Sequence, residues 1–278
     1  MLIDTETRQI RTITVTSGKG GVGKTSIVAN LAVELRNLGK RVMVLDADLG
    51  LGSIGVLFDL APRHTIRHVL SGEKRLKDVI VTGPHGIKFL PAGPADSEMT
   101  SLSEHQRMRL IDEFDRLDPQ VDFLLVDTGP GISPNVSFFC IASQEIMIVT
   151  SPEPAAIAAT SALMQVLFHQ YREKEFRILV NLARSSAEAR DVFRMLSETA
   201  GSGLNISLDF VGFVPFDDLF RNAAIARSAF LDLYPSGKTA NALRATAKRL
   251  VDDDRGRIKG TMQFFFKGLF RGGAGGAS

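Results

Sequence analysis

The sequence predicts an α/β fold, a doubly wound and mostly parallel β-sheet flanked by helices. Three observations predict it. Short apolar runs alternate with helix-period segments along most of the 278 residues. The runs are apolar at successive positions, the pattern of strands covered on both faces. The first of them passes through a glycine-rich turn straight into a helical pattern.

Taken in order, strands are expected at residues 13–16, 42–45, 87–90, 123–126, 146–150, 178–181 and 210–214. Helices are expected at residues 27–38, 103–117, 133–142, 155–170, 187–198, 218–226 and 239–251. In such a sheet a ligand sits at the carboxyl ends of the strands. Residues 1–10 read as a flexible polar arm, residues 11–251 as one domain, and residues 252–278 as a separate basic and aromatic tail whose Gly/Ala-rich end is expected to be disordered.

Composition narrows the function classes. Hydrophobic residues make up 44% of the chain, enough for a substantial core. A net charge of +2 gives no overall field to attract nucleic acid. Cys140 is the single cysteine, so no internal disulfide is possible, and its apolar neighbours make it a buried small hydrophobe. No run approaches the ~20 apolar residues needed to span a bilayer, and no leader pattern opens the chain. A reduced, cytoplasmic setting is the expectation.

Residues 17–26 read Ser-Gly-Lys-Gly-Gly-Val-Gly-Lys-Thr-Ser. Gly18, Gly23, Lys24 and Thr25 satisfy G-x-x-x-x-G-K-[ST] in its proper context, after a strand and before a helix. Glycines at 18, 20, 21 and 23 let the loop take turn angles closed to other residues. Its N–H groups, with those of Val22 and Ser26, can then face phosphate oxygens at the positive end of the helix. Lys24 would reach the β- and γ-phosphates, and the Thr25 hydroxyl would ligate Mg²⁺.

Two strand ends add carboxylates. The run 42–45 is followed by Asp46-Ala47-Asp48. A carboxylate there can hold Mg²⁺ or orient a water for attack on the γ-phosphate, or it can cap the next turn. The run 123–126 ends in Asp127-Thr128-Gly129, where Asp127 would hold Mg²⁺ and Gly129 and Gly131 would free the following loop to move. Asn181, after Leu179-Val180, carries an amide that suits an adenine edge, or a strand-to-helix turn.

Lys19, just after the first glycine, is not required by an ordinary phosphate loop. With it, Lys19-Gly20-Gly21-Val22-Gly23-Lys24-Thr25 resembles the deviant Walker A motif of the MinD/ParA class of P-loop ATPases. The resemblance runs from about residue 10 to residue 251. It implies slow ATP hydrolysis with ATP/ADP and Mg²⁺, and an ATP-sandwiched homodimer in which Lys19 reaches the partner's phosphates. It further implies that Asp48 activates water while Asp46 organises the loop and the metal shell. Asn181, Pro215 and Asp217 would clasp adenine, and Glu153 would lie near the partner's nucleotide.

The tail changes character after Asp252-Asp253-Asp254. On a helix, Met262, Phe265, Phe266, Leu269 and Phe270 fall on one face, with Ile258 extending it. Gln263, Lys267 and Arg271 fall on the other, and Phe264 breaks the pattern. Such an amphipathic helix can enter an anionic membrane surface, or dock on the protein's own body. MinD-like proteins carry a C-terminal targeting helix, so the resemblance implies reversible attachment to the inner face of the cell membrane. Two tails in one ATP-bound dimer would bind more tightly than one.

Within the class, residues 46–52, 150–154 and 208–215 are most similar to the FlhG branch, also called FleN or YlxH. That branch regulates flagellar number and placement, with an FlhF-type GTPase and flagellar switch or regulator proteins as partners. Residues 1–11 contain nothing like the branch's GTPase-activating Asp-Gln-Ala-x-x-Leu-Arg motif. A MinD-type division-site ATPase is the runner-up. A ParA-type DNA-partitioning ATPase leaves the aromatic tail without a purpose. An iron–sulfur carrier needs paired cysteines, which are missing.

Overall fold

The computed structural model describes residues 10–49, 52, 54–93, 99, 101–117, 121–201, 205–253 and 263–265. Its strands are β1 (Arg11–Thr16), β2 (Val42–Ala47), β3 (Val81–Thr82), β4 (Lys88–Leu90), β5 (Phe123–Thr128), β6 (Glu145–Thr150), β7 (Glu175–Ala183) and β8 (Ser207–Pro215). They form one sheet in the order β3-β4-β2-β5-β1-β6-β7-β8. Every neighbouring pair is parallel except β3 with β4, which is antiparallel at the edge.

The helices are α1 (Lys24–Asn37), α2 (Ile54–Leu57), α3 (Ile66–Ser71), α4 (Leu76–Val79), α5 (Glu104–Arg116), α6 (Pro134–Ala142), α7 (Pro154–Tyr171), α8 (Ser186–Gly201), α9 (Leu219–Ile225), α10 (Phe230–Leu233) and α11 (Lys238–Asp252). Local chemistry sets several boundaries. Ser103 caps α5 by accepting from the Gln106 N–H while Gln106 reaches back to the Ser103 N–H. Ser133 accepts from Val136 N–H at the start of α6, with Pro134 at the first helical position.

The apolar runs are strands buried on both faces, and the period of two is visible in where their side chains go. Val42 and Val44 join a core with α1, α10 and α11 on one side of the sheet. Met43 and Leu45 join a second core on the other side, with α3, α4, α5 and α6. A third core seats α7 and α8 on β6 and β7. Cys140 is buried there as expected.

Three expectations differ from the structure. Helices α2, α3, α4 and α10 were not expected, because four to six residues are too few to show a helical period. They form because Ile54, Ile66, Val69, Leu70, Leu76, Val79, Phe230 and Leu231 bury in the cores on the two sides of the sheet. Strand β7 continues past Asn181 to Ala183, with Leu182 at a positive φ of 59° where the register with β8 shifts. A strand that bends to keep pairing does not end at its polar residue.

The third difference is in the tail. Met262, Phe266, Lys267, Leu269, Phe270 and Arg271 lie outside the described residues, as do 1–9 of the N-terminal arm. Phe265, expected on a lipid-facing helix, is buried in the core beside α5, with a left-handed φ of 60°. Phe264, expected to break the pattern, goes deepest. Its ring packs 4.4 Å from that of Phe114 and its N–H donates to the Ala142 carbonyl at 2.9 Å. A pocket between α5 and α6 thus removes two aromatic rings from water, an option a helical wheel cannot register.

Candidate nucleotide site

Strand β1 delivers residues 17–23 to the carboxyl edge of the sheet, and α1 begins at Lys24. Its N-cap is Gly23, at φ 83°, and no side chain caps that end. A helix start that lacks a capping side chain is suited to an anion. The loop lines a cleft of about 350 Å³ with Ser17, Gly20, Gly21, Val22, Gly23, Lys24, Thr25 and Ser26, joined by Asp48 and Pro130. Seven of the eight loop positions expected to meet phosphate, all but Gly18, therefore line one cleft together with Asp48.

Two glycines are needed for reasons the motif does not state. A Cβ on Gly18 would lie 2.3 Å from the backbone of Ala159, so the loop packs directly on α7. A Cβ on Gly23 would lie 2.4 Å from Asn181 Nδ2. That amide, on β7, donates to the Val22 carbonyl at 2.8 Å and braces the loop. Asn181 is buried and its Oδ1 has no hydrogen-bond partner.

The three acidic strand ends divide the work. The register sets Asp127 beside both Val15 and Asp46. Lys24 Nζ donates to Asp127 Oδ1 at 2.6 Å, with both side chains buried. Asp127 Oδ2 is buried with no partner, a ready acceptor for a metal-bound water. Asp46 was expected to organise the phosphate loop and the metal shell. Instead it shapes the turn after β2, accepting from Asp48 N–H at 3.3 Å and Ile54 N–H at 3.2 Å. Burial and then the Asp127 charge push its pKa up to about 8, against the pull of the Ile54 N–H. Asp48 lines the cleft. Gly129 packs close beside it, since a Cβ there would approach the Asp48 Oδ1 to 3.2 Å.

The loop after β5 closes over the glycines. Gly131 N–H donates to the Ser17 carbonyl at 2.8 Å, and the Ser17 hydroxyl donates to the Lys19 carbonyl at 3.0 Å. Thr128 Oγ1 donates to Thr16 Oγ1 at 3.1 Å. Ser17, Thr128 and Pro130 belong to the site and were missed as contributors; their only signal was adjacency to the motifs.

Lys19 is not in the cleft. It is paired with Glu153 at the start of α7, on the surface, with 41% and 59% of the two side chains exposed. Pro215 ends β8 beside Ala183. Asp217 spends both oxygens on the fold, accepting from Leu219 N–H at 3.0 Å and the Thr239 hydroxyl at 2.7 Å. The structure thus gathers the loop, Asp48 and Asp127 in one place, with Asn181 as its brace, and sets Lys19 and Glu153 apart together.

A family profile described as "AAA domain" matches residues 10–178. The antiactivator FleN of Pseudomonas aeruginosa is 38% identical over 87% of this chain and 86% of its own. The flagellum site-determining protein YlxH of Helicobacter pylori is 29% identical over 93% of this chain and 89% of its own. The septum site-determining protein MinD of Pyrococcus horikoshii, solved with Mg-ADP, superposes with a TM-score of 0.72 at 24% identity over 89% of this chain and 97% of that one. The chain belongs to the MinD/ParA class of P-loop ATPases. Within it, the chain falls with the FleN/YlxH proteins, the FlhG branch.

Proposed function

We propose that this protein is an ATP-dependent dimerising switch that regulates the number or placement of flagella. The observation that carries the switch is the separation of the two loop lysines. Lys24 serves the chain's own cleft, while Lys19 points along the surface beside Glu153, where a second copy could receive it. The flagellar role rests on likeness to an antiactivator and a flagellum site-determining protein.

ATP would lie with its phosphates on residues 18–26 and its adenine toward Asn181, Pro215 and Asp217. Thr25, Asp48 and Asp127 would hold Mg²⁺, which supplies charge neutralisation on the phosphates. The orphan Asp127 oxygen and the cleft-lining Asp48 fit that task. Asp48 would position the attacking water. Turnover would be slow, because the bound state is the signal. Lys19 would cross to the partner's phosphates and Glu153 would lie near the partner's nucleotide.

Residues 11–251 would form the switch and 252–278 the tail that meets an anionic membrane as an ATP dimer and leaves on hydrolysis. The packed Phe264 and Phe265 then belong to the resting form, and release of the tail exposes its aromatic face. Partners would be an FlhF-type GTPase and flagellar switch or regulator proteins.

Light scattering with ATP tests the chemistry. Lys19→Ala should bind ATP and stay monomeric, and Asp48→Ala should remain a dimer; a Lys19→Ala dimer would overturn the reading. Deleting the gene tests the role. Extra or misplaced flagella with normal cell length support it, whereas minicells or filaments with normal flagella move the assignment to a division-site ATPase.

A further inference from the structure

The docked end of the tail contains a contradiction. Phe264 and Phe265 are held by ring contacts with Phe114, tilted at 4.4 Å and edge-to-face at 5.3 Å, and by the Phe264 N–H bond to the Ala142 carbonyl. Gln263, immediately before them, is 1% exposed, and neither Nε2 nor Oε1 of its amide has a hydrogen-bond partner. A primary amide that leaves water without partners forfeits all its hydrogen bonds. The backbone adds a second penalty, since Phe265 holds a left-handed φ of 60° that disfavours any side chain with a Cβ.

Both penalties vanish when the segment leaves. On the helix written in the sequence, Gln263 falls with Lys267 and Arg271 on the polar face, where water satisfies its amide. Phe265 regains a right-handed backbone there. One residue is therefore costly in the docked form and costless in the released form.

We propose that Gln263 sets the strength of the docked tail, acting as a built-in weakness that keeps the aromatic latch close to its release point. A fully apolar residue at this position would lock the latch. The proposal rests on the membrane reading only for what the tail does after release; the latch itself is a property of the free protein.

Hydrogen exchange of the full chain, without lipid, reads the latch through the Phe264 amide. Gln263→Met keeps the length and removes the unpaired donors and acceptor. It should raise protection of the segment on the order of ten-fold or more, the cost of a buried unsatisfied group. Gln263→Glu should lower it, because a charge is harder to bury. Equal exchange in wild type and Gln263→Met overturns the proposal, as does a wild-type segment that exchanges like an unstructured chain.

Co-sedimentation with phosphatidylethanolamine/phosphatidylglycerol vesicles and ATP reads the consequence. Gln263→Met should need more vesicle for the same binding and Phe264→Ala less. If neither wild type nor Phe264→Ala binds while Gln263→Met still slows exchange, the membrane reading falls and the latch stands.

Discussion

The ammonium of Lys24 donates to the carboxylate of Asp127 across 2.6 Å in a buried setting. The lysine of the phosphate-loop motif is thus held at the end of β5. The contact keeps the side chain ordered and neutralises a charge that the sheet interior would not tolerate alone.

Breaking that pair by Asp127→Ala strands a buried ammonium. The nucleotide-free protein should lose about 3 kcal/mol, at the lower end of what such removals cost. Urea unfolding gives the number. A midpoint unchanged from wild type would show that the pair does not hold the loop. Lys24→Ala should abolish ATP binding in a titration, since no other cation lines the cleft among the described residues.

Asp46 makes stability depend on pH. Its folded pKa, near 8, lies above the ordinary 3.8, so the folded state keeps a proton that the unfolded chain has released. Its contribution is whole below about pH 4 and falls as pH rises toward 8. The slope approaches ~1.4 kcal/mol per pH unit in that window. Asp46→Asn removes the slope, at the cost of one N–H acceptor. Unfolding at pH 5, 6, 7 and 8 should show the variant gaining on wild type with each step; a constant difference would contradict the assignment.

Gly18→Ala places a methyl 2.3 Å from the Ala159 backbone. Neither α7 nor the loop can give way without moving the other. Overpacking should cost about 1–3 kcal/mol. ATP affinity should fall further than stability alone explains, because the loop must shift. Calorimetric binding and thermal unfolding on the same sample separate the two effects.

Glu145 lies at the amino end of β6, far along the sheet from the nucleotide edge. It pairs with Arg11, whose Nη2 donates at 3.0 Å, and with Arg177 Nε at 2.7 Å. Arg177 also holds Asp253, where α11 ends. Glu145→Ala leaves two buried guanidinium groups facing each other and should cost ~3–5 kcal/mol. ATP turnover below the new melting temperature should stay near wild type, which an ATPase assay across temperature would check.

Much of the site was legible because its signals are local. Lys24 and Thr25 follow a strand and open a helix within ten residues, and Asp127 ends an unbroken apolar run. Geometry that follows from chain direction alone places them at one edge. The family resemblance separated Asp46 from Asp48, but the bonds that Asp46 makes were not legible. Asp46 lies within β2 and Asp48 just after it, and only the fold shows that the backbone of Ile54 turns back to claim Asp46.

By itself, the sequence determined the parallel sheet, the phosphate loop and the carboxylates around it. Those depend on periodicity, on glycine and on neighbours a few residues apart. Tertiary structure alone decided that Gly18 serves the contact with α7, that Asn181 braces Val22, and that Phe264 and Phe265 enter the core. Each joins positions more than a hundred residues apart, and no local preference encodes a partner at that range. For the tail, a helical pattern read from the sequence does not register a pocket elsewhere in the chain that can take its rings. The pocket between α5 and α6 takes them in the free chain.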